Sequence, residues 1–484
     1  MNEDKINIPT TEYDGDIPSA TLDTITLNKQ QRITGILRLV IFSTIGILVF
    51  FGSIPKDGES VIIFSLLYNG LVDFFGNNVY WILVAVVGFN FFSHLYFKYV
   101  KKGKGTSAFA DVYNSDKIIH TFLYGLGLLY VVCYAVYINL GVPVTEVIVG
   151  DTTGGNVIPP VVKGVLGIIL VGAIFMPFLL NYGILEIVGA ILEPIMRPLF
   201  KVPGKAALDA TSSFVSSSSL GVLITNRLWK RNVYTEKEMV AIMTGFSAVS
   251  IGFANLVINT AGVGDKWLKI YAISFFMVFI VEIIMVRIPP ISRKKDVYYS
   301  GRTQTDVDRK GELKYSKETL PRGVKRAVKR AALAKGLYAD ITSSLKDGIL
   351  VLPQVLTMLS AIGISGMILA EYTPIFTWIG YLFQPLLNLC AVPDAAAIAP
   401  SMPVGIAEMF LPVLVMNGQG VVISEAARIF VCLVSMVQII FFSETATVML
   451  ATKSPIKFWE IVVCFFERTI VAIPLSALCI HFLF

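Results

Sequence analysis

The sequence predicts an all-α polytopic membrane protein with about nine transmembrane helices and two opposed re-entrant hairpins, arranged as an inverted-topology repeat. Three observations lead to this fold class. Of the 484 residues, 55% are hydrophobic and only 15% are charged, a composition too apolar for a soluble domain. Apolar stretches of about 20 residues, long enough to cross a bilayer, recur along the chain. Two segments interrupted by Pro, Gly and Ser occupy corresponding places in its two halves.

The uninterrupted apolar runs give the expected spans, because each is long enough and poor enough in charge to cross the membrane. Two further segments, near 183–226 and 373–420, are too broken by Pro, Gly, Ser and acids to be simple spans. These interruptions predict the two hairpins. The expected spans are 33–54, 79–100, 117–141, 160–181, 235–261, 266–288, 344–370, 423–451 and 458–482.

Lysine and arginine predict the orientation, since loops rich in them stay on the cytoplasmic side. The segment 293–335 holds fourteen of the forty basic residues against five acids, so we expect it in the cytoplasm. Basic residues flank the first interrupted segment, whereas none lies between Lys346 and Arg428. The first hairpin is therefore expected to enter from the cytoplasm and the second from outside. The N-terminus is expected inside and the C-terminus outside.

Runs and loops together divide the chain into five parts. The polar N-terminal part lacks the basic and apolar regions of a secretion signal and is expected to be a cytoplasmic tail. The basic stretch 324–337 is expected to be either a solvated linker helix or a helix docked on anionic headgroups. The parts are the tail (1–32), a three-helix scaffold (33–141), the first repeat (159–288), a basic cytoplasmic linker (289–343) and the second repeat (344–484).

The two repeats share a pattern of residues. Leu192-Glu193-Pro194, Val202-Pro203 and Ala206-Ala207 correspond to Phe383-Gln384-Pro385, Val392-Pro393 and Ala396-Ala397. After each hairpin, Thr235 and Ser424 are expected to begin a helix, each as an N-cap hydroxyl followed by an acid. Thr235 also has capping-box spacing to Glu238. Order, spacing and opposite expected orientation agree, as an inverted-topology repeat requires.

The hairpin residues also carry a family resemblance. The segment from Pro194 through Val202-Pro203 to the serine-rich stretch, and the segment from Val392-Pro393 to Glu408, resemble the nucleoside-recognition Gate domain. From about Pro159 to its end, the chain is similar to the YjiH-like family of bacterial Gate-domain membrane proteins. This resemblance implies a carrier in the bacterial inner membrane.

A second likeness concerns the hairpins alone. The run Gly405-Ile406-Ala407-Glu408 is similar to the Gly-x-x-Glu hairpin motif of concentrative nucleoside transporters, which bind substrate between two opposed hairpins. The first hairpin has Ser216 to Ser219 where those transporters have an amide and an acid. The resemblance therefore leaves the substrate open.

Polar residues at membrane depth are the candidate binding residues, because a broken helix leaves backbone groups that must be buried in protein or line a wet cavity. Glu408 and Glu444 are the leading candidates. Inserting an ionisable group at this depth of the membrane costs about 3 kcal/mol, so such a group rarely faces lipid. Their alternative role is to bond the broken backbone. Asn255 takes the place in the first repeat that Glu444 takes in the second, and both are expected to point toward the hairpins. The remaining candidates are Ser212, Ser213, Ser216, Ser217, Ser218 and Thr445.

Several candidates also have a purely structural interpretation. The serines of the first hairpin either bind a polar solute or allow close helix packing. Asp209 and Asp394, near the hairpin entrances, either cap half-helices or bind. Asn259 and Gln438 either join neighbouring helices or line the cavity. Arg468, with the adjacent Glu467, interrupts the last span, and each is expected to need a partner on another helix.

Catalytic motifs are weak, which favours a protein that is not an enzyme. Gly262-Val263-Gly264-Asp265 matches the Gly-x-Gly-Asp pattern of intramembrane aspartyl proteases, but no partner carboxylate is identifiable. The three histidines are scattered, and the sequence has no HExxH motif, P-loop or CxxC pair. No metal, cofactor or ATP coupling is therefore expected.

Taken together, these patterns predict a secondary transporter that moves a small polar solute by alternating access, with a nucleoside-like solute among the candidates. Transport is expected to be driven by a Na⁺ or H⁺ gradient, with simple facilitation as the alternative. The basic residues lie in loops between spans, so nucleic acid is not an expected partner. The expected partners are the solute, the lipid bilayer and either a second copy or another Gate protein. The alternatives are a non-transporting assembly or signalling component and a Gate-type ion permease.

Overall fold

The structure is a computed structural model and confirms the all-α polytopic class. It is mainly helical, with one short two-stranded antiparallel sheet in the described part of the chain. It describes residues 19–56, 59–101, 113, 116, 118–215, 218–247, 249, 251–309, 314–418 and 421–484. Seven helical stretches within these residues are long and apolar enough to span a membrane, namely Lys29–Phe51, Gly76–Val100, Ile118–Leu140, Glu146–Leu180, Gly264–Met285, Leu337–Tyr372 and Phe458–Phe482.

The N-terminal region supplies the scaffold and one unexpected element. Its first long helix begins at a capping box, in which Asn28 Oδ1 accepts from Gln31 N at 2.8 Å and Gln31 Oε1 accepts from Asn28 N at 3.0 Å. A β-hairpin then leads into a 12-residue apolar helix, too short to span, that the sequence patterns did not single out. The elements are α1 (Ser19–Thr24), α2 (Lys29–Phe51), β1 (Ser53–Lys56), β2 (Glu59–Ile62), α3 (Ile63–Phe74), α4 (Val79–Leu95, extended by a π turn at Tyr96–Val100) and α5 (Ile118–Leu140).

The first repeat contains a span, a 17-residue helix, a helical hairpin, a broken span and a final span. Helices of 10 and 13 residues form the hairpin and pack against each other. They rise about 15 and 20 Å, which is half to two-thirds of the hydrocarbon thickness. Its helices are α6 (Glu146–Val149), α7 (Gly154–Val157), α8 (Lys163–Leu180, preceded by a π turn at Ile158–Val162), α9 (Ile184–Phe200), α10 (Ala206–Val215), α11 (Ser218–Lys230), α12 (Glu236–Gly245), α13 (Ile251–Thr260) and α14 (Trp267–Met285).

The linker contributes a helix that is packed on one face. Its helices are α15 (Asp306–Arg309) and α16 (Thr319–Leu333). Ala327 and Ala331 of α16 are fully buried against α2 and α9. Gly183 permits this approach, because a Cβ there would lie 2.4 Å from Ala327 O. Of its basic residues, Lys325 is exposed, Arg322, Arg326 and Lys329 are half-buried and Arg330 is buried, so α16 is a packed helix rather than a solvated linker.

The second repeat follows the same order of elements. Its hairpin consists of two four-residue helices, a short loop and a seven-residue helix. Its helices are α17 (Leu337–Met358), α18 (Ile364–Tyr372, joined to α17 by a π turn at Leu359–Gly363), α19 (Ile375–Tyr381), α20 (Gln384–Leu389), α21 (Ala395–Ile398), α22 (Ser401–Val404), α23 (Leu411–Asn417), α24 (Glu425–Gln438), α25 (Thr445–Ala451) and α26 (Phe458–Phe482).

Two of the nine expected spans are discontinuous. The stretch 235–261 divides into α12 and α13, and the stretch 423–451 divides into α24 and α25. We call the part of the chain between α12 and α13 the first break, of which the structure describes residues 246, 247 and 249, and residues 439–444 the second break. The apolar composition that predicts these spans does not reveal the breaks, because hydropathy averages over the few polar residues within them. A broken span in the same position of both repeats is a known feature of transporter folds.

The predicted helix starts after the hairpins are confirmed. Thr235 Oγ1 accepts from Glu238 N at 3.2 Å, and Glu238 Oε2 accepts from Thr235 N at 3.0 Å, which completes the capping box. Ser424 Oγ accepts from Ala427 N at 3.4 Å. These caps fix where the broken spans begin in both repeats.

Candidate functional site

The tip of the first hairpin touches both breaks. Ser218 Oγ donates to the carbonyl of Ser247, in the first break, at 3.2 Å. Ser219, at the start of α11, donates to Glu444 Oε1 in the second break from its backbone N at 2.9 Å and from its Oγ at 2.7 Å. The positive end of the α11 dipole adds to the attraction for this carboxylate. Residues 225 positions apart therefore meet at one point.

The tip of the second hairpin meets the second break through the backbone. Phe442 N donates to Ile406 O at 2.7 Å, and Ser443 N donates to Ala407 O at 2.9 Å. These bonds satisfy peptide groups that the interrupted helix leaves without partners. As a result, both hairpin tips lie against the segment that carries Glu444.

The second break is held in a strained conformation. Ile439 has a φ of 41°, in the left-handed region that a β-branched residue rarely adopts. Thr445 stabilises the turn, since its Oγ1 accepts from Phe441 N at 3.0 Å and lies 3.1 Å from Ile439 O. The predicted candidate Thr445 thus shapes the break with its hydroxyl.

The carboxylate of Glu408 caps the last helix of the second hairpin. It faces the backbone N–H groups of Met409, Phe410 and Leu411, where α23 begins. Glu408 is only 7% exposed, and it lies close enough to Glu444 for the two negative charges to repel. Glu444 itself is only partly buried. The site therefore combines an enclosed carboxylate with one that solvent reaches.

One further side chain at the site comes from α3. Tyr68 lies within electrostatic reach of Glu444, and α3 packs on α8 so closely that a Cβ at Gly167 would lie 2.8 Å from Tyr68 O. Sequence reasoning missed Tyr68 because α3 is too short to be recognised as a span. An apolar 12-residue run just after a hairpin turn is the signal that marks it.

Not every predicted residue reaches this site. Asn255 is exposed on α13, where its Oδ1 accepts from Asn259 Nδ2 at 2.9 Å, and none of its described hydrogen bonds reaches a hairpin. Ser212 and Ser213 belong to α10, but their side chains lie outside the described residues, as do Ser216 and Ser217 altogether. Of the predicted serines, Ser218 is thus the one whose side-chain contacts the structure describes.

Asp209, Asp394 and Gln438 bond to elements that lie next to their own. Asp209 Oδ2 accepts from Thr225 Oγ1 at 3.0 Å and joins the two arms of the first hairpin. Asp394 Oδ2 accepts from Ser424 N at 2.8 Å, at the start of α24. Gln438 Nε2 donates to Met402 O at 2.6 Å, which ties the end of α24 to the second hairpin. Asp209 therefore braces the first hairpin, and Asp394 holds the residue that begins α24.

Arg468 joins the two broken helices where their first halves end. Its fully buried guanidinium contacts Glu282 Oε2 of α14 at 3.1 Å. Its Nε donates to Val437 O at 2.5 Å, and its Nη1 donates to Thr244 O at 3.3 Å. These carbonyls end α24 and α12, where an interrupted helix leaves acceptors unpaired and the dipole is negative. One arginine therefore anchors the first halves of both broken spans.

This arrangement suits a small polar solute or a cation. Two carboxylates, a serine hydroxyl and half-helix ends converge at one place, with a tyrosine nearby. Among the described residues, no group of three or more His, Cys, Asp or Glu is placed to hold a metal ion.

Comparison with known proteins identifies the family. The Gate family model, described as nucleoside recognition, matches residues 162–264, which contain the first hairpin and the whole of the first broken span. A protein of Alkalihalophilus pseudofirmus is 35% identical over 332 residues, which are 69% of this chain and 70% of that protein. The chain belongs to the Gate family.

Two further matches to this Gate protein are more limited. The sporulation integral membrane protein YlbJ of Bacillus subtilis is 36% identical over 84 residues, covering 16% of this chain and 21% of that one. A structure of the concentrative nucleoside transporter CNTnw in an outward-facing state is 14% identical, with a TM-score of 0.38, over 92% of this chain and 99% of that one. The predicted Gate resemblance is confirmed, and the family match supports a multi-pass membrane transporter rather than an enzyme.

Proposed function

We propose that this Gate protein is a secondary transporter that binds a small polar solute beside Ser219 and Glu444 and moves it by alternating access. The observation that carries the proposal is the meeting of both hairpin tips at the second break. Binding sites of this kind, built from interrupted helices at a repeat interface, serve to hold a solute that must be released on either side.

The contacts suggest how binding and movement are linked. Three hydrogen bonds, two from Ser219 to Glu444 and one from Ser218 to Ser247, hold the first hairpin to the breaks. A solute that takes over the Glu444 carboxylate frees this hairpin tip to move against the second repeat. Protonation of Glu444, or a Na⁺ ion beside it, would weaken the same two bonds and couple transport to an ion gradient.

The proposed orientation follows the basic residues. The N-terminus, the linker and the base of the first hairpin lie in the cytoplasm, and the base of the second hairpin lies outside. The membrane is proposed to be the bacterial inner membrane.

A thermal-shift screen tests the proposal. The purified full chain is screened against nucleosides, nucleobases, amino acids and dipeptides, with and without Na⁺ and at two pH values. A ligand present at about 100 times its dissociation constant adds about 2.7 kcal/mol to stability. We expect one class to stabilise the wild type and to be taken up by proteoliposomes.

Three variants locate the effect. Glu444→Gln removes the charge that Ser219 binds, Ser219→Ala removes one donor, and Glu371→Gln is a matched control on an exposed part of α18. We expect at least about a tenfold loss of affinity for the first, a smaller loss for the second and none for the control. Equal binding by Glu444→Gln and the wild type would contradict the proposed site.

A non-transporting assembly role is the second candidate, because the Bacillus subtilis relative is named a sporulation integral membrane protein. In that case a folded protein would show neither a solute-dependent shift nor uptake in the same screen.

A further inference from the structure

A cavity of about 280 Å³ lies at the far end of α11 from the hairpin tip, between α8, α11 and α17. Eight residues of α11 separate Ser219 from Arg227, which is a rise of about 12 Å. The cavity is therefore distinct from the proposed solute site. One side of it is apolar, with residues such as Met176 and Leu223, and the other side is basic.

The charge lining the cavity is positive. Arg227, Lys230 and Arg231 all line it, and Asp347 is the one acid in the lining, which leaves a formal charge of three minus one, or +2. The Asp347 side chain is 64% exposed, and its Oδ2 lies 3.8 Å from Arg227 Nη2, too far for a hydrogen bond. The arginine is thus only loosely compensated.

The guanidinium of Arg227 presents an unused edge. Its Nη1 donates to Ser344 Oγ, whereas its Nε and Nη2 are buried and have no hydrogen-bond partner within the described residues. Arg231 differs, because its Nη1 donates to Asn181 Oδ1 at 2.6 Å. Buried donors left without acceptors are costly, and more so when they carry charge. An acceptor that pairs with this edge, once the Arg227 side chain turns it toward the cavity, would remove that cost.

The unused edge has a definite chemical preference. Nε and Nη2 are the two nitrogens that lie along one side of a guanidinium, and their parallel N–H groups bind two oxygens of one carboxylate or phosphate. We propose that the cavity is a binding site for a ligand with anionic oxygens, held side-on by Arg227 with Lys230 and Arg231 adding charge. The ligand is either a soluble anion or the headgroup of an anionic lipid whose chain follows the apolar side.

Two titrations of the full chain distinguish these sources. In the first, inorganic phosphate is added at constant ionic strength in uncharged detergent. In the second, phosphatidylglycerol replaces phosphatidylcholine in mixed micelles. Thermal stability is the readout in both. A shift in the phosphate arm assigns a soluble anion, and a shift in the lipid arm assigns a headgroup; either supports the site.

The variants tie the shift to the cavity. Arg227→Gln is expected to weaken binding at least about tenfold, and Arg227→Lys, which keeps the charge but loses the paired donors, to weaken it severalfold. Asp347→Asn removes a competing carboxylate and is expected to tighten binding. Arg293→Gln, an exposed arginine elsewhere in the basic linker, serves as the control and is expected to bind as the wild type does.

Two results would overturn the proposal. The first is that neither titration shifts the folded wild type. The second is that Arg227→Lys and Arg227→Gln respond like Arg293→Gln, which would mean that the anions act on the protein surface in general. Neither result bears on the solute site at Glu444, whose test uses different ligands and variants.

Discussion

Gly245 shows how a single residue can hold two buried charges in place. It ends α12, directly against the carboxylate of Glu282, and a Cβ built there would lie 1.9 Å from the Glu282 carboxyl carbon. No side chain fits unless Glu282 moves away from Arg468. The glycine is therefore needed for space, at a position where its backbone φ is ordinary for any residue.

Gly245→Ala is expected to destabilise the protein by at least about 3 kcal/mol, because it breaks a buried ion pair. Thermal unfolding in detergent measures the change. The matched control is Gly70→Ala in α3, where a Cβ meets nothing within 4 Å. There the substitution is expected to be neutral or stabilising, since alanine favours a helix by about 1 kcal/mol over glycine. Similar losses in both variants would contradict the explanation.

At the scale of elements, the broken helices depend on each other through Arg468. Its guanidinium binds the carbonyl ends of α12 and α24, which belong to different repeats, while Glu282 balances its charge. In transporters with broken helices, a bound cation often occupies such carbonyl ends. Here the guanidinium of Arg468, a cation that belongs to the chain itself, occupies these carbonyl ends.

A double-substitution cycle tests this dependence. Arg468→Met leaves Glu282 buried without its cation and is expected to cost about 3–5 kcal/mol. Adding Glu282→Leu removes the stranded charge, so we expect the double variant to unfold at a higher temperature than Arg468→Met alone. A double variant as unstable as the single one would mean that the pairing with Glu282 carries little of the effect.

The ion pairs that join α9 to α16 are expected to make the stability of the protein depend on pH. Glu186 Oε1 lies 2.7 Å from both Lys205 Nζ and Arg330 Nη2. Burial raises the pKa of Glu186, but these two cations more than offset it and lower the pKa from its usual 4.5 to about 2. A carboxyl whose pKa is lowered on folding stabilises the fold above pH 4.5, and this stabilisation is lost as the pH falls toward 2.

Glu186→Gln is therefore expected to be less stable than the wild type near pH 7, by a free energy on the order of 3 kcal/mol. The difference in unfolding temperature between the two proteins is measured from pH 7 down to pH 3. We expect it to narrow below pH 4.5, because the unfolded wild type then takes up a proton that the folded protein, with its Glu186 pKa of about 2, does not bind. A constant difference over this range would count against the ion pairs as its source.

At the scale of the whole molecule, the site is built from segments that are far apart in sequence. Hydrogen–deuterium exchange with a stabilising solute is expected to slow at the hairpin tips and the breaks, around 218–219, 406–410 and 439–445. Exchange in α16, which packs on α2 and α9, is expected to stay unchanged. In Glu444→Gln the slowing is expected to disappear. Protection spread evenly over all helices would indicate general stabilisation without a site at the breaks.

Much of this architecture is predictable from sequence because short stretches of residues determine it. Hydropathy marks the spans, Thr235 with Glu238 marks a helix start, and acids at membrane depth such as Glu444 mark the site. Tertiary contacts are not local. No pattern places Tyr68 near Glu444, and Asn255 occupies the matching position in the repeat but bonds to Asn259 on an exposed face.

The Arg468–Glu282 pair also has a consequence during biosynthesis. The two residues are 186 positions apart, so α14 reaches the membrane long before α26 has been translated. At about 5–20 residues per second, the interval is on the order of 10–40 s. Over that time Glu282 has no cation, and the apolar residues of α14 must offset about 3 kcal/mol for its insertion. If a ribosome stalls in this interval, the inserted part of the chain holds the Glu282 charge without its counter-ion. The charge is balanced only when α26 arrives.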